Sequence, residues 1–208
     1  MKSAKDIFDK WGKAGRGEDM AKRHWPRVKQ AFSQLPSSKG NYLEIGVGSG
    51  YSIQYIATHQ FSEGICHGID VSPEMVRRCR EKLAHLDHVT IEQGDFLLWE
   101  PSNPKFFDIV FSMEVFYYFH DIQKGLEKAF SILAPRGQLW VLVNFYLENT
   151  ISHDWPRRVG TPMQLWTKAE YRQGFETSGF IDVKQQFLTD KSAEDGVTLC
   201  TFGSKPGT

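Results

Sequence analysis

The sequence has no excess of either charge: Lys+Arg and Asp+Glu stand at 25 each in 208 residues. That balance gives no global field to draw in nucleic acid or an anionic membrane, so neither is an expected partner. Long hydrophobic runs are missing too. None approaches the ~20 residues of a membrane span. The opening MKSAKDIFDKWGKAGRGEDM is charged throughout and lacks the apolar core of a signal peptide. Cysteine is scarce: Cys66, Cys79 and Cys200 are an odd number at unrelated spacings, which excludes a disulfide framework and a thiol metal cluster. Clustered carboxylates for a metal are absent, and no metal is expected. A reducing, cytoplasmic setting is the expectation.

Aromatics are plentiful by contrast, with 15 Phe, 7 Tyr and 6 Trp, and the length suits one domain with a full core. From residue 41 onward, short apolar runs alternate with amphipathic stretches, the pattern of an open α/β sheet. YLEIGV, GICHGIDV, HVTIEQGDF, FFDIVFSMEV and QLWVLVNFY read as five strands. Ser72-Pro73 supplies an N-cap and first-turn proline, and Met75, Val76, Cys79, Leu83 and Leu86 then follow at helical spacing. Asp121 opens a further helix that APRG closes, and TKAE at 167–170 is a capping box. IDVKQQFLT and GVTLCTFGS read as a closing hairpin. Residues 1–36 form a helical cap segment before a domain over 37–208, with a long substrate-side insertion at 146–166.

Gly46, Gly48 and Gly50 fall directly behind the first strand, as a turn that lets a ligand approach the backbone. A dinucleotide fingerprint requires its third glycine at position 51, where this chain has Tyr51. Glu44 would repel a phosphate and suits a cationic or amine-bearing ligand. Asp70, at the end of the second strand, is placed to accept from both ribose hydroxyls, a feature that nicotinamide and S-adenosylmethionine sites share. Asp95 and Phe96 lie beside the same crevice, a carboxylate for an adenine amino group and an apolar edge for its ring.

LEIGVGSG, GIDVSPEMV, EQGDF, FDIVFSMEVFYYFHD and SILAPRGQLWV together resemble the successive motifs of class I S-adenosylmethionine-dependent methyltransferases, closely over residues 40–144. The resemblance implies a Rossmann-like three-layer sandwich, with a seven-stranded, mostly parallel sheet whose last strand is antiparallel. It implies S-adenosylmethionine as cofactor and S-adenosylhomocysteine as product. Gly46, Gly48 and Gly50 would pass the methionine moiety, Asp70 would bind the ribose and Asp95 with Phe96 the adenine, with Val71, Met75 and Gly94 also binding the cofactor. Ser112, Met113 and Glu114 would line the sulfonium and the methionine amine. In the lead segment, Trp11, Gly15 and Arg16 are candidates to close over the cofactor carboxylate.

Methyl transfer from a sulfonium needs alignment above all, and a base only where the acceptor loses a proton. His24, His120 and His153 are the candidate bases, and Tyr117 the preferred acceptor-side contact. SMEV after the fourth strand is not the Asn/Asp-Pro-Pro-aromatic box of nucleic-acid and glutamine methylation. Tyr146, Trp155, Met163 and Trp166, with Arg157 and Arg158 nearby, are expected to wall the mouth for a small apolar or aromatic acceptor. The competing readings are a nicotinamide-dependent oxidoreductase, disfavoured by Tyr51, Glu44 and Asp95, and a non-catalytic S-adenosylmethionine-binding module. Monomer and homodimer are both open.

Overall fold

A computed structural model describes residues 3–35, 39–101, 106–190 and 196–207. The expected boundary at residue 36 lies outside the described residues. Two helices lead the chain, α1 (Ala4–Lys13) and α2 (Arg16–Phe32), hinged at Gly15, whose φ of 73° puts it in the left-handed region. Then follow β1 (Asn41–Ile45), α3 (Tyr51–His59), β2 (Ile65–Asp70), α4 (Pro73–Leu83), β3 (Val89–Gln93) and β4 (Phe107–Met113). The second half holds α5 (Ile122–Ile132), β5 (Leu133–Val143), α6 (Lys168–Thr177), β6 (Ile181–Leu188) and β7 (Thr198–Ser204).

The seven strands form one sheet in the order β3-β2-β1-β4-β5-β7-β6, and β7 runs antiparallel to both its neighbours. Pleat alternation sorts side chains between two faces. In β4, Ile109 and Phe111 join one apolar layer with Val28 and Phe32 of α2, Ile56 of α3 and Val76 of α4. Val110 faces the other, with Leu126 of α5 and Tyr171 and Phe175 of α6. The strand order reverses between β1 and β4, both parallel to β1's other neighbour, so a crevice opens at their carboxyl ends.

Local signals explain the helix starts. Ser72 accepts from the Met75 amide, Asp121 from the Lys124 amide, and Thr167 with Glu170 completes a capping box. APRG differs from expectation. Rather than closing α5, it lies inside β5 as an irregularity, with a register shift opposite Phe107–Ile109 and Arg136 at φ 65°. A Cβ on Gly137 would come within 2.9 Å of the Phe107 and Ala134 carbonyl oxygens, so the kink needs that glycine. β5 therefore starts earlier than QLWVLVNFY and ends before Asn144. The 146–166 stretch holds only a 3-10 turn (Thr150–Ser152) and a π-helical turn (Pro156–Gly160). No helix among the described residues is long and apolar enough to cross a membrane.

Candidate active site

The glycine turn is anchored to β2: the amides of Gly46 and Val47 donate to the Ile69 carbonyl at 2.8 and 3.1 Å. Gly46, Gly48 and Gly50 all have positive φ, at 74°, 53° and 83°, where a side chain costs about 1–2 kcal/mol. Their surroundings differ. A Cβ on Gly46 would collide with Val115, and one on Gly50 would meet Cys79 Sγ at 2.5 Å, whereas one on Gly48 would meet nothing within 4 Å. Gly50 therefore packs the start of α3 on α4 and does not line the crevice, contrary to expectation.

Asp70 is nearly buried, and its two carboxylate oxygens accept from the amides of Gly48 and Ser72, each at 2.9 Å. Burial pushes this carboxyl upward despite those donors. Glu44 is more extreme. It is 3 % exposed, its carboxylate accepts from the hydroxyls of Ser52 and Tyr42, and desolvation raises its pKa to about 8. An acid in that state is poised to ionise when a cation arrives. Beside it, the Ser49 hydroxyl is buried in the turn with no partner among the described residues. A buried hydroxyl without a partner marks a place for a polar ligand.

At the end of β4, Glu114 takes φ 61°, strained for a residue with a side chain. Its oxygens accept from the Asn144 amide at 2.5 Å and the Tyr117 hydroxyl at 2.8 Å. Tyr117 is 2 % exposed, and burial with the nearby Glu114 charge holds its phenol well above the usual range. Ser112 is turned away: buried in the sheet, its hydroxyl donates to the Ile45 carbonyl, and it is not among the residues lining the crevice.

The lead helices roof this crevice. Gly17 sets α2 on the turn, where an added Cβ would lie 3.2 Å from Ser49 Cβ, and Gly12 lets α1 approach Glu74 of α4. Asp9 accepts from the Glu74 amide at 3.2 Å. Phe8 meets Tyr118 edge-on at 5.1 Å, and the Arg16 guanidinium lies 5.6 Å over Trp11.

One cavity of about 880 Å³ results, and it is lined by Glu44, Gly46, Gly48, Asp70, Val71, Met75, Gly94, Asp95, Phe96, Met113, Glu114 and Tyr117. Trp11, Arg16, His24, His120, Trp155 and Arg158 line it as well. His153 does not: its exposed ring bonds the Leu147 carbonyl at 2.8 Å. Gly15 and Arg157 also stay outside, and Tyr146, Met163 and Trp166 pack into the core instead. Phe8, Met20, Phe119 and Ile151 line the cavity without having been singled out by sequence, as does Tyr51, which the sequence marked only as a break in the dinucleotide fingerprint. Phe8 and Trp11, three residues apart on one helix face, were the available signal.

A sheet of this order, with a glycine turn and acids at its carboxyl edge, defines a nucleoside-binding methyltransferase fold. Residues 43–141 match the methyltransferase-domain family. One chain of the structure described as the complex between the Haloferax volcanii Trm112 methyltransferase activator and the putative methyltransferase is 31% identical, with 99% of each chain covered and a TM-score of 0.86. Uncharacterized methyltransferase YdaC of Bacillus subtilis (strain 168) is 27% identical over 92% of this chain and 98% of its own. Haemonchus contortus phosphoethanolamine N-methyltransferase 2, solved with S-adenosyl-L-methionine, shares the fold at a TM-score of 0.68 and 18% identity, over 87% of this chain and 51% of that one.

The chain belongs to the class I S-adenosylmethionine-dependent methyltransferases. S-adenosylmethionine is its cofactor, and the nicotinamide reading is set aside. The open space over Gly48, the unpartnered Ser49 hydroxyl and the raised Glu44 carboxyl fit that group.

Proposed function

We propose that the chain methylates a small molecule with an apolar or aromatic body. The observation that carries this reading is a single cavity joining the glycine turn to Phe8, Tyr118 and Trp155. S-adenosylmethionine, when bound, supplies a methyl already activated on a sulfonium. The protein then has to hold two partners in line, which is worth on the order of 7–11 kcal/mol for well-oriented groups.

In this reading Gly46 and Gly48 admit the methionine end, Glu44 and Glu114 face its amine, and Asp70 with Val71 and Met75 takes the ribose. Gly94, Asp95 and Phe96 take the adenine, and Arg16 the carboxylate. Tyr117, a donor rather than a base, steadies Glu114 against the acceptor side. His24 and His120 are the groups placed to accept a proton where the acceptor has one to lose. α1 and α2 act as the roof, and the 146–166 stretch supplies the acceptor wall through Ile151, Trp155 and Arg158.

Calorimetric titration of S-adenosylmethionine, S-adenosylhomocysteine and NAD, followed by a small-molecule screen with methyl-labelled donor, tests the proposal. Saturable binding of both sulfur nucleosides and label transfer to an apolar acceptor are expected. Transfer only to protein or RNA would overturn the small-molecule assignment.

A second reading concerns partners. The 31%-identical relative is held in a complex with an activator, and β3 leaves one sheet edge unpaired among the described strands. Co-expression with a Trm112-type protein would raise solubility and turnover if this chain shares that requirement. Full activity of the purified chain alone would remove it.

A further inference from the structure

The turn that follows β3 carries Asp95 and Phe96 to the cavity, and it folds as one unit. The Asp95 carbonyl accepts the amides of Leu98 and Trp99 at 3.0 and 2.8 Å, and Asp95 Oδ1 accepts the Leu97 amide at 3.0 Å. Asp95 Oδ2 has no partner among the described residues. The near end of the turn is tied through backbone, since the Gly94 amide donates to the Asp70 carbonyl at 3.0 Å. Its far end rests on a side chain, the buried Trp99.

Glu92 of β3 holds that side chain. The Trp99 ring N–H donates to Glu92 Oε2 at 2.7 Å, and Glu92 Oε1 lies 3.0 Å from Nε2 of His67, a buried residue of β2. The His67 and Trp99 rings are 5.2 Å apart, with Phe107 against both. A hydrogen bond to a carboxylate is roughly twice as strong as one between neutral groups. Lys128 of α5 reaches the neighbouring Glu100 at 2.6 Å, but the Glu100 side chain is 83 % exposed, and a pair of that kind contributes little. His67, Glu92 and Trp99 all lie outside the cavity lining.

We infer that Glu92 is a positioning residue for recognition of the cofactor's base, acting through Trp99 to hold Asp95 and Phe96 where adenine is read. The inference rests on the adenine role proposed for that turn. A firmly held turn presents Asp95 Oδ2 as an acceptor in one place, and an exocyclic amine satisfies it. A base with a carbonyl oxygen there sets two acceptors against each other, and the mismatch discriminates only as far as the turn cannot move away. Glu92 therefore governs the choice of base as well as overall affinity.

The test titrates S-adenosylhomocysteine and S-inosylhomocysteine, which has a carbonyl oxygen in place of the exocyclic amine, into the full chain by calorimetry. Thermal unfolding is measured beside each titration. The unmodified chain is expected to prefer the adenine compound at least about ten-fold. E92A should weaken that compound about ten-fold, move the inosine compound little, and so bring the ratio toward one. W99F, which removes the ring N–H and keeps an apolar ring, should do the same, and it covers the case in which E92A fails to fold. E92Q keeps an oxygen for the Trp99 N–H and should restore the preference, whereas K128A, on the exposed pair, should leave it unchanged. A ratio that holds in E92A and W99F while Tm falls would show Glu92 to be structural only. E92Q no better than E92A, K128A as damaging as either, or no base preference in the unmodified chain would also overturn the inference. Failure of S-adenosylhomocysteine itself to bind would sink the methyl-transfer reading, and this one with it.

Discussion

The Tyr117 hydroxyl donates to Glu114 across 2.8 Å, and the other oxygen of that carboxylate accepts the Asn144 amide. The pair fastens the strained residue after β4 to the end of β5, where methyl donor and acceptor are proposed to meet. Because burial lifts the phenol well above its ordinary range, Tyr117 acts as a donor throughout the working pH. Y117F should cost roughly 1 kcal/mol of stability and lower kcat/KM about ten-fold. It should remove no limb from the pH–rate profile between about pH 6 and 9. A vanished limb would show that the phenol titrates in the reaction.

Gly46 and Gly48 share a conformation but not surroundings, so alanine should separate them. At Gly48 the new methyl enters open space, and the cost to folding is the positive-φ strain, about 1–2 kcal/mol. G48A should lower Tm modestly but weaken S-adenosylhomocysteine at least ten-fold by filling the proposed ligand space. G46A drives its methyl into Val115 and should destabilise the fold by several kcal/mol. Calorimetric Tm beside nucleoside titration checks both, and equal effects on the two measurements would refute the separation.

Much of this was legible because it rests on local chemistry. Ser72-Pro73, Asp121 and Thr167–Glu170 cap helices in the structure as their side chains dictate. The strand–turn–helix at 41–59 and the antiparallel pairing of β6 with β7 followed from periodicity and glycine. What escaped depends on tertiary contact. Ser112 and Gly50 fit the motif, yet the first bonds across to β1 and the second packs on Cys79, relations that no spacing encodes. His153 turns outward where it ends the Thr150–Ser152 3-10 turn and bonds the Leu147 carbonyl, and Arg158 rather than Arg157 lines the cavity from a π-helical turn, neither of which has a sequence signature here. Phe8 and Met20 reach the site only because Gly12 and Gly17 let two helices settle on it.

Asp70 has two tasks, and a conservative variant should expose both. Each oxygen already accepts a backbone amide, from Gly48 and from Ser72. D70N must point an NH₂ group at one of those donors, costing about 1–3 kcal/mol for the unsatisfied pair. Thermal unfolding should therefore fall even without ligand, and S-adenosylhomocysteine affinity should fall further than that loss alone explains. An unchanged Tm with lost affinity would mean that the turn does not depend on the carboxylate.

Glu44 ties stability and cofactor binding to pH. Its ordinary pKa is 4.5, and desolvation lifts it to about 8 in the folded chain. Between those values the unfolded chain has released the proton and the folded chain keeps it. Stability therefore falls as pH rises through that window and levels off above about pH 8. Asp70, also raised by burial, contributes a slope of the same sign, beginning at its ordinary 3.8. A loss on the order of a few kcal/mol is expected in the ligand-free protein, and E44Q should flatten most of it. A cation placed beside the carboxylate reverses the preference and expels the proton. Near pH 7, S-adenosylmethionine binding should accordingly release a proton to the buffer. Its measured heat should be more exothermic in Tris, which takes up protons with large heat, than in phosphate, and E44Q should remove most of that difference. Identical heats in the two buffers would mean that the bound cofactor leaves Glu44 protonated, and that the acid serves the turn through Ser52 and Tyr42 rather than the ligand.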